Sequence, residues 1–159
     1  MDRDEHFSEA LRDHVLGRAA HIPLSTALEG VSWEQSGESV AQVPHTIWSL
    51  VWHIRAAMAD IVSYVDAPEY HELDYPSGYW PERLHPASDE EWVNQRRSVD
   101  ELLRIIGSWI DERDLYAPLP RGSGHTLARE ILIVGQHNSY HIAQIVEHRM
   151  LIGMPLRDW

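Results

Sequence analysis

The chain has 159 residues, 43% of them hydrophobic and 24% charged, an ordinary composition for one soluble domain with a single sizeable core. It contains no cysteine, which excludes disulfides, thiolate zinc sites and a cysteine nucleophile, and no lysine, which excludes a Schiff base to pyridoxal phosphate and a P-loop. A formal charge of −12 repels phosphate backbones on average, so nucleic acid is not an expected partner.

The opening "MDRDEHFSEALRDH" is charged from its second residue and lacks the apolar segment of a signal peptide. A first helix is expected from about Asp4 to Ala20, with Phe7, Leu11, Val15 and Leu16 at helical spacing. Pro23 breaks it, and "LSTALEGV" reads as one or two further turns before Gly30. A second long helix begins after Pro44 and runs to about Asp66, ending before Pro68. Its stretch Thr46–Val65 is strongly apolar but carries His53, Arg55 and Asp60, so no membrane span is expected and a cytoplasmic location is.

Residues 67–87 hold Pro68, Pro76, Pro81 and Pro86 and form a connection long enough to cross a whole bundle. Ser88 followed by Glu91 is a capping box that starts a third helix, running to about Glu112. Trp92, Val99, Leu102, Leu103, Ile106 and Ile110 supply its core face. The fourth helix spans roughly Thr126 to Ile152 and stops at Gly153, with Pro155 beyond. No segment demands a strand, and no repeat or linker divides the sequence. The expectation is one all-α domain over 1–159: a four-helix bundle, up-down-down-up, with the long crossover between helices 2 and 3. The shorter links suit antiparallel neighbours for helices 1 and 2 and for helices 3 and 4.

The fourth helix carries "HNSYHIAQIVEH". At 1.5 Å per residue, His137 and His141 lie one above the other about 6 Å apart, the usual way a helix offers two imidazoles to one ion. His148 shares the stripe but rises about 10 Å beyond His141, too far to join them. A zincin would need glutamate after the first histidine, where Asn138 stands. Di-iron bundles use Glu-x-x-His, but Val134 and Asn138 occupy the positions three before His137 and His141, and the one such motif, Glu82 to His85, lies in the crossover. A third ligand has to come from another helix, and His53, flanked by Trp52 and Ile54, is the candidate. Ser49 and Asp60 share its face, Asp60 two turns away in a pocket or supporting role. On spacing alone the pair also suits a solvated or packed, hydrogen-bonded couple. His6, His14, His21, His45, His71, His85 and His125 read as surface, turn or capping residues.

Three blocks in order carry a family resemblance: "AHIPLSTALEGVSWEQSG" leading into "HTIWSLVWHIRAAMADIV", then "DYPSGYWP", then "HNSYHIAQIVEHRMLIG". Together they resemble the DinB/YfiT-like superfamily over most of the chain. The resemblance implies an up-down-down-up bundle, often a homodimer, that binds a divalent ion, commonly nickel or zinc, through His53, His137 and His141. It implies no polymerase activity and no DNA binding. It also implies chemistry: relatives include transferases and isomerases that use low-molecular-weight thiols such as bacillithiol, mycothiol or glutathione.

Three neutral imidazoles leave an ion its full charge and an open position, the pattern of a catalytic site. The leading expectation is metal-assisted transfer of such a thiol to a small electrophile, the thiolate coming from the cosubstrate. Tyr75, Tyr79 and Trp80 are either a pocket wall or plain packing of the crossover, and Trp48 and Trp52 are expected in the core. The alternatives are a metal-dependent hydrolase, for which Asp60, Glu130 and Gln144 are only stripe neighbours, and a non-catalytic metal-binding bundle.

Overall fold

The computed structural model of the chain describes residues 3–156, so both ends of the expected 1–159 domain lie outside the described residues. Among the described residues there are six α-helices and no strand. The long helices are α1 (Arg3–Leu16), α4 (Ile47–Asp66), α5 (Asp89–Glu112) and α6 (Leu127–Leu151), and α2 (Leu24–Ala27) and α3 (Trp33–Ser36) are single turns between α1 and α4. None is long and apolar enough to cross a membrane.

Local chemistry sets the ends. Helix α1 stops at Leu16, four residues before the expected Ala20, because Gly17 takes φ +69°. Its N–H bonds back to His14 and that of Arg18 to Asp13, the paired closing bonds of a left-handed helix terminus. Helix α3 was not expected; Ser32 and Gln35 cap it reciprocally. Thr46 and Ser49 make the same box at the start of α4. At α5 only half of the expected box forms: Glu91 N–H donates to Ser88 Oγ at 3.2 Å, but the Glu91 carboxylate accepts from Ala87 N–H and from Arg83 instead of returning to Ser88. Helix α6 is capped by Thr126 and closes before Gly153.

Each long helix packs against two others: α4 against α5 and α6, and α1 against α5 and α6. This corrects the expectation that consecutive long helices are neighbours, since α1 and α4, and likewise α5 and α6, are not packed side by side. Residues 17–46 make that possible, because α2 packs on α6 while α3 packs on α4 and α5, carrying the chain across the bundle end. Between the helices, Trp92, Trp109, Leu11, Ile54, Ile106 and Ile131 are among the fully buried side chains. Burying each removes about 1.5–3 kcal/mol of apolar exposure, more for the tryptophans. Trp48 is buried too, whereas Trp52 is half-buried under the Arg55 guanidinium, 5.0 Å from its ring centre.

The crossover runs back along α4 from its C-terminal end to its N-terminal end. Arg121 ties the start by donating to the carbonyls of Tyr64, Ala67 and Pro68. Tyr70 and Tyr79 then donate to Asp60, and Trp48 Nε1 and Thr46 Oγ1 donate to the carbonyls of Arg83 and Leu84 at 3.1 and 2.6 Å. A 3-10 turn, Ser77–Tyr79, sits midway and packs on α4. That path lays the aromatic residues of the crossover over the face of α4 that carries His53.

Candidate metal centre

His53 from α4 and His137 and His141 from α6 converge in the structure. One ring nitrogen from each lies within 4.8 Å of those of the other two, and His137 Nε2 is 3.0 Å from His53 Nε2. Two imidazole nitrogens bound at about 2.0–2.1 Å to one tetrahedral ion stand about 3.4 Å apart, so the spacing is of the right size. His53 and His141 are buried and His137 is half-buried.

The hydrogen bonds assign the free lone pairs. Tyr79 offers a backbone carbonyl 2.8 Å from His53 Nδ1, and a carbonyl only accepts, so Nδ1 carries the proton and Nε2 the lone pair. Gln144 Oε1 does the same for His141 Nδ1 at 2.7 Å. With His53 Nε2 an acceptor, His137 Nε2 is the donor in their 3.0 Å contact, and a divalent ion competes for the same nitrogens. Holding Nδ1 in this way fixes ring orientation and tautomer, as the outer partners of metal-bound histidines do.

Burial lowers the pKa of all three imidazoles, reinforced at His137 by His53 and opposed at His53 by the Tyr79 bond; His141 falls to about 4. At neutral pH the cluster is therefore uncharged, the form a metal needs. By donor type, orientation and protonation state the three residues fit a divalent ion.

The cluster opens into a cavity of about 730 Å³ under the crossover. Trp80 lies flat on His53, ring centroids 4.0 Å apart and 3° from parallel, and His45 covers its other face at 4.1 Å and 9°. Tyr75, Tyr79, Asp60 and Glu130 also line the cavity. Asp60, expected in a pocket role, accepts from the hydroxyls of Tyr70 at 3.0 Å and Tyr79 at 2.8 Å. Glu130 is buried and paired with Arg129 at 2.6 Å.

His148 is kept apart from the cluster, fully buried with Nε2 2.8 Å from the Glu38 carbonyl. His125 is not simply a surface or turn residue: its Nδ1 is 3.0 Å from the Tyr64 hydroxyl and 3.5 Å from Glu130. Sequence reasoning missed His45 as part of the stack, and Gln144 and Tyr79 as the groups that orient the imidazoles. The i,i+3 spacing of His141 and Gln144 was a usable signal; nothing in spacing places a crossover carbonyl on His53.

Comparison with family models, curated proteins and solved structures finds no match to this chain.

Proposed function

We propose that the chain is a divalent-metal-dependent enzyme of the DinB/YfiT-like type that transfers a low-molecular-weight thiol to a small electrophile. The observation that carries the metal part is the assignment of lone pairs: His53 and His141 have Nδ1 committed to fixed acceptors, which leaves Nε2 the free nitrogen, and each ring offers a nitrogen within 4.8 Å of the others and of His137. Thiol transfer itself rests on the resemblance of the three sequence blocks.

An up-down-down-up arrangement fits the residue pairs between helices. Trp48 meets Trp92 and Asp66 meets Arg113, as for parallel α4 and α5. His53 meets His137 and Tyr64 meets His125, as for antiparallel α4 and α6.

In this reading His53, His137 and His141 hold the ion, nickel or zinc. When bound, it supplies the positive charge that keeps a thiol as its thiolate near neutral pH. Trp80 shields His53 and its bond to Tyr79 from water, while the cavity beside the imidazoles leaves room for an electrophile. Thiol transfer is preferred to hydrolysis because a hydrolase needs a free base beside the ion. Both Asp60 oxygens already accept from tyrosine hydroxyls, Glu130 is engaged by Arg129, and Glu72, the third carboxylate of the cavity, is exposed on the crossover with no hydrogen bond to an imidazole among the described residues.

The test is elemental analysis and chelator competition on the purified protein beside His53→Ala, His137→Ala and His141→Ala. One ion per chain is expected, lost or greatly weakened in each variant. Full retention in His53→Ala and His141→Ala removes the site. Turnover of a panel of thiols and electrophiles that never exceeds the metal-free background removes thiol transfer and leaves metal binding standing.

A further inference from the structure

The cavity beneath the crossover is charged with one sign. Among the described residues three carboxylates line it, Asp60, Glu72 and Glu130, and neither lysine nor arginine does. The charge of Glu130 is answered by Arg129 at 2.6 Å. That of Asp60 is not: among the described residues its hydrogen-bond partners are two neutral hydroxyls. Glu72 is exposed on the crossover and has no ion pair among the described residues.

The remaining wall is aromatic and aliphatic, with Ala57, Ile61 and Ile133 beside the rings. Tyr75 and Tyr140 line the cavity while 84% and 65% exposed, and the Tyr75 ring is 6.2 Å from Tyr79. Rings of this kind attract a cation through their negative faces, and an unpaired carboxylate adds to the attraction. A carboxylate ligand would meet like charge instead. At the other end the lining includes a buried polar group, His141, 7% exposed, whose Nε2 has no hydrogen bond among the described residues. Asp60 stands seven positions after His53 on α4, about 10 Å along the helix.

We propose that this cavity takes an organic cation, with a protonated or quaternary ammonium group at the Asp60–Glu72 end and the reacting group at the three imidazoles. The proposal rests on the cavity being the substrate site of the function proposed above, and the ammonium end is read independently of any ion. The two reacting ends of such a substrate are roughly 10 Å apart, the span of two helical turns.

The experiment compares choline with its neutral isostere 3,3-dimethyl-1-butanol, titrated into the full chain by NMR, first with chelator and then with one equivalent of zinc. Choline is expected to bind about tenfold more tightly in both states, with shifts at Tyr75 and Tyr79. Glu72→Gln, on an exposed side chain, is expected to lower the preference about threefold, and adding Asp60→Asn to abolish it, with circular dichroism checking the fold. Equal binding of the two probes, no binding of either, or a preference unchanged in both variants overturns the proposal. Those results beside stoichiometric zinc binding leave the metal site intact. A choline preference in a protein that holds no zinc or nickel sinks the metal reading and keeps the cation site.

Discussion

Trp80 lies face to face on His53, centroids 4.0 Å apart and 3° from parallel, with His45 on the far side of the indole. The stack ties the crossover to the N-terminal part of α4 and to His45 just before it, and keeps water off the imidazole. Burial is the main reason His53 sits below the ordinary histidine range. Trp80→Ala takes away part of that burial, so the His53 pKa is expected to rise toward 6.5 in the metal-free protein. Histidine titration followed by NMR checks this, and an unchanged value would show that the indole contributes nothing to the desolvation.

Gln144 accepts the Nδ1 proton of His141 at 2.7 Å, one turn along the same helix. Gln144→Ala leaves the three imidazoles in place but frees the His141 ring to rotate and change tautomer. Zinc affinity is expected to fall about 10- to 100-fold, the usual cost of losing a partner behind a ligand. Thermal stability of the metal-free variant should drop by only about 1 kcal/mol, the net worth of one hydrogen bond. Competition against a chromophoric chelator, set beside a thermal melt, separates the two effects. A loss of stability with no loss of affinity would assign Gln144 to packing alone.

The same burial makes the metal-free protein sensitive to acid. His141 has a pKa of about 4 when folded and about 6.5 when unfolded. Between these values the unfolded chain binds a proton that the folded chain refuses, so stability falls as pH falls from about 6.5 to about 4. Lowered pKa values at His53 and His137 act in the same direction. Above pH 7 these groups contribute no slope. Urea melts from pH 7.5 to pH 4.5 should show the decline, and His141→Gln should flatten it.

The sequence made some parts of this site legible and hid others, for physical reasons. His137 and His141 stand out because helical periodicity is local, and His53 because an imidazole in an apolar helical run needs a partner. The end of α1 is also local information, since Gly17 followed by the polar Arg18 is a helix stop that comes before Pro23. The Ser32–Gln35 box before α3 is local too, an S-x-x-Q pattern. By contrast, the Tyr79 carbonyl on His53 and the indole of Trp80 between two histidines depend on how 67–87 folds back along α4. No periodicity encodes that path. Helix adjacency was misread for a similar reason: loop length permits a crossing but does not say which connection crosses.

Gly135 on α6 faces α1, and a Cβ there would collide with the His14 ring. His14 is held in position by its Nε2, which donates to the Leu132 carbonyl at 3.3 Å. Gly135→Ala should therefore destabilise the protein by about 1–3 kcal/mol through overpacking, offset by up to about 1 kcal/mol from better helix propensity. His14→Ala alone loses one long hydrogen bond and part of an interhelical contact. In the double variant the methyl fills the space vacated by the ring, so the two changes should be far from additive, with a coupling of about 1–2 kcal/mol in favour of the pair. Urea denaturation of the four proteins completes the cycle. Additive effects would mean that the Gly135–His14 contact does not hold α1 and α6 together.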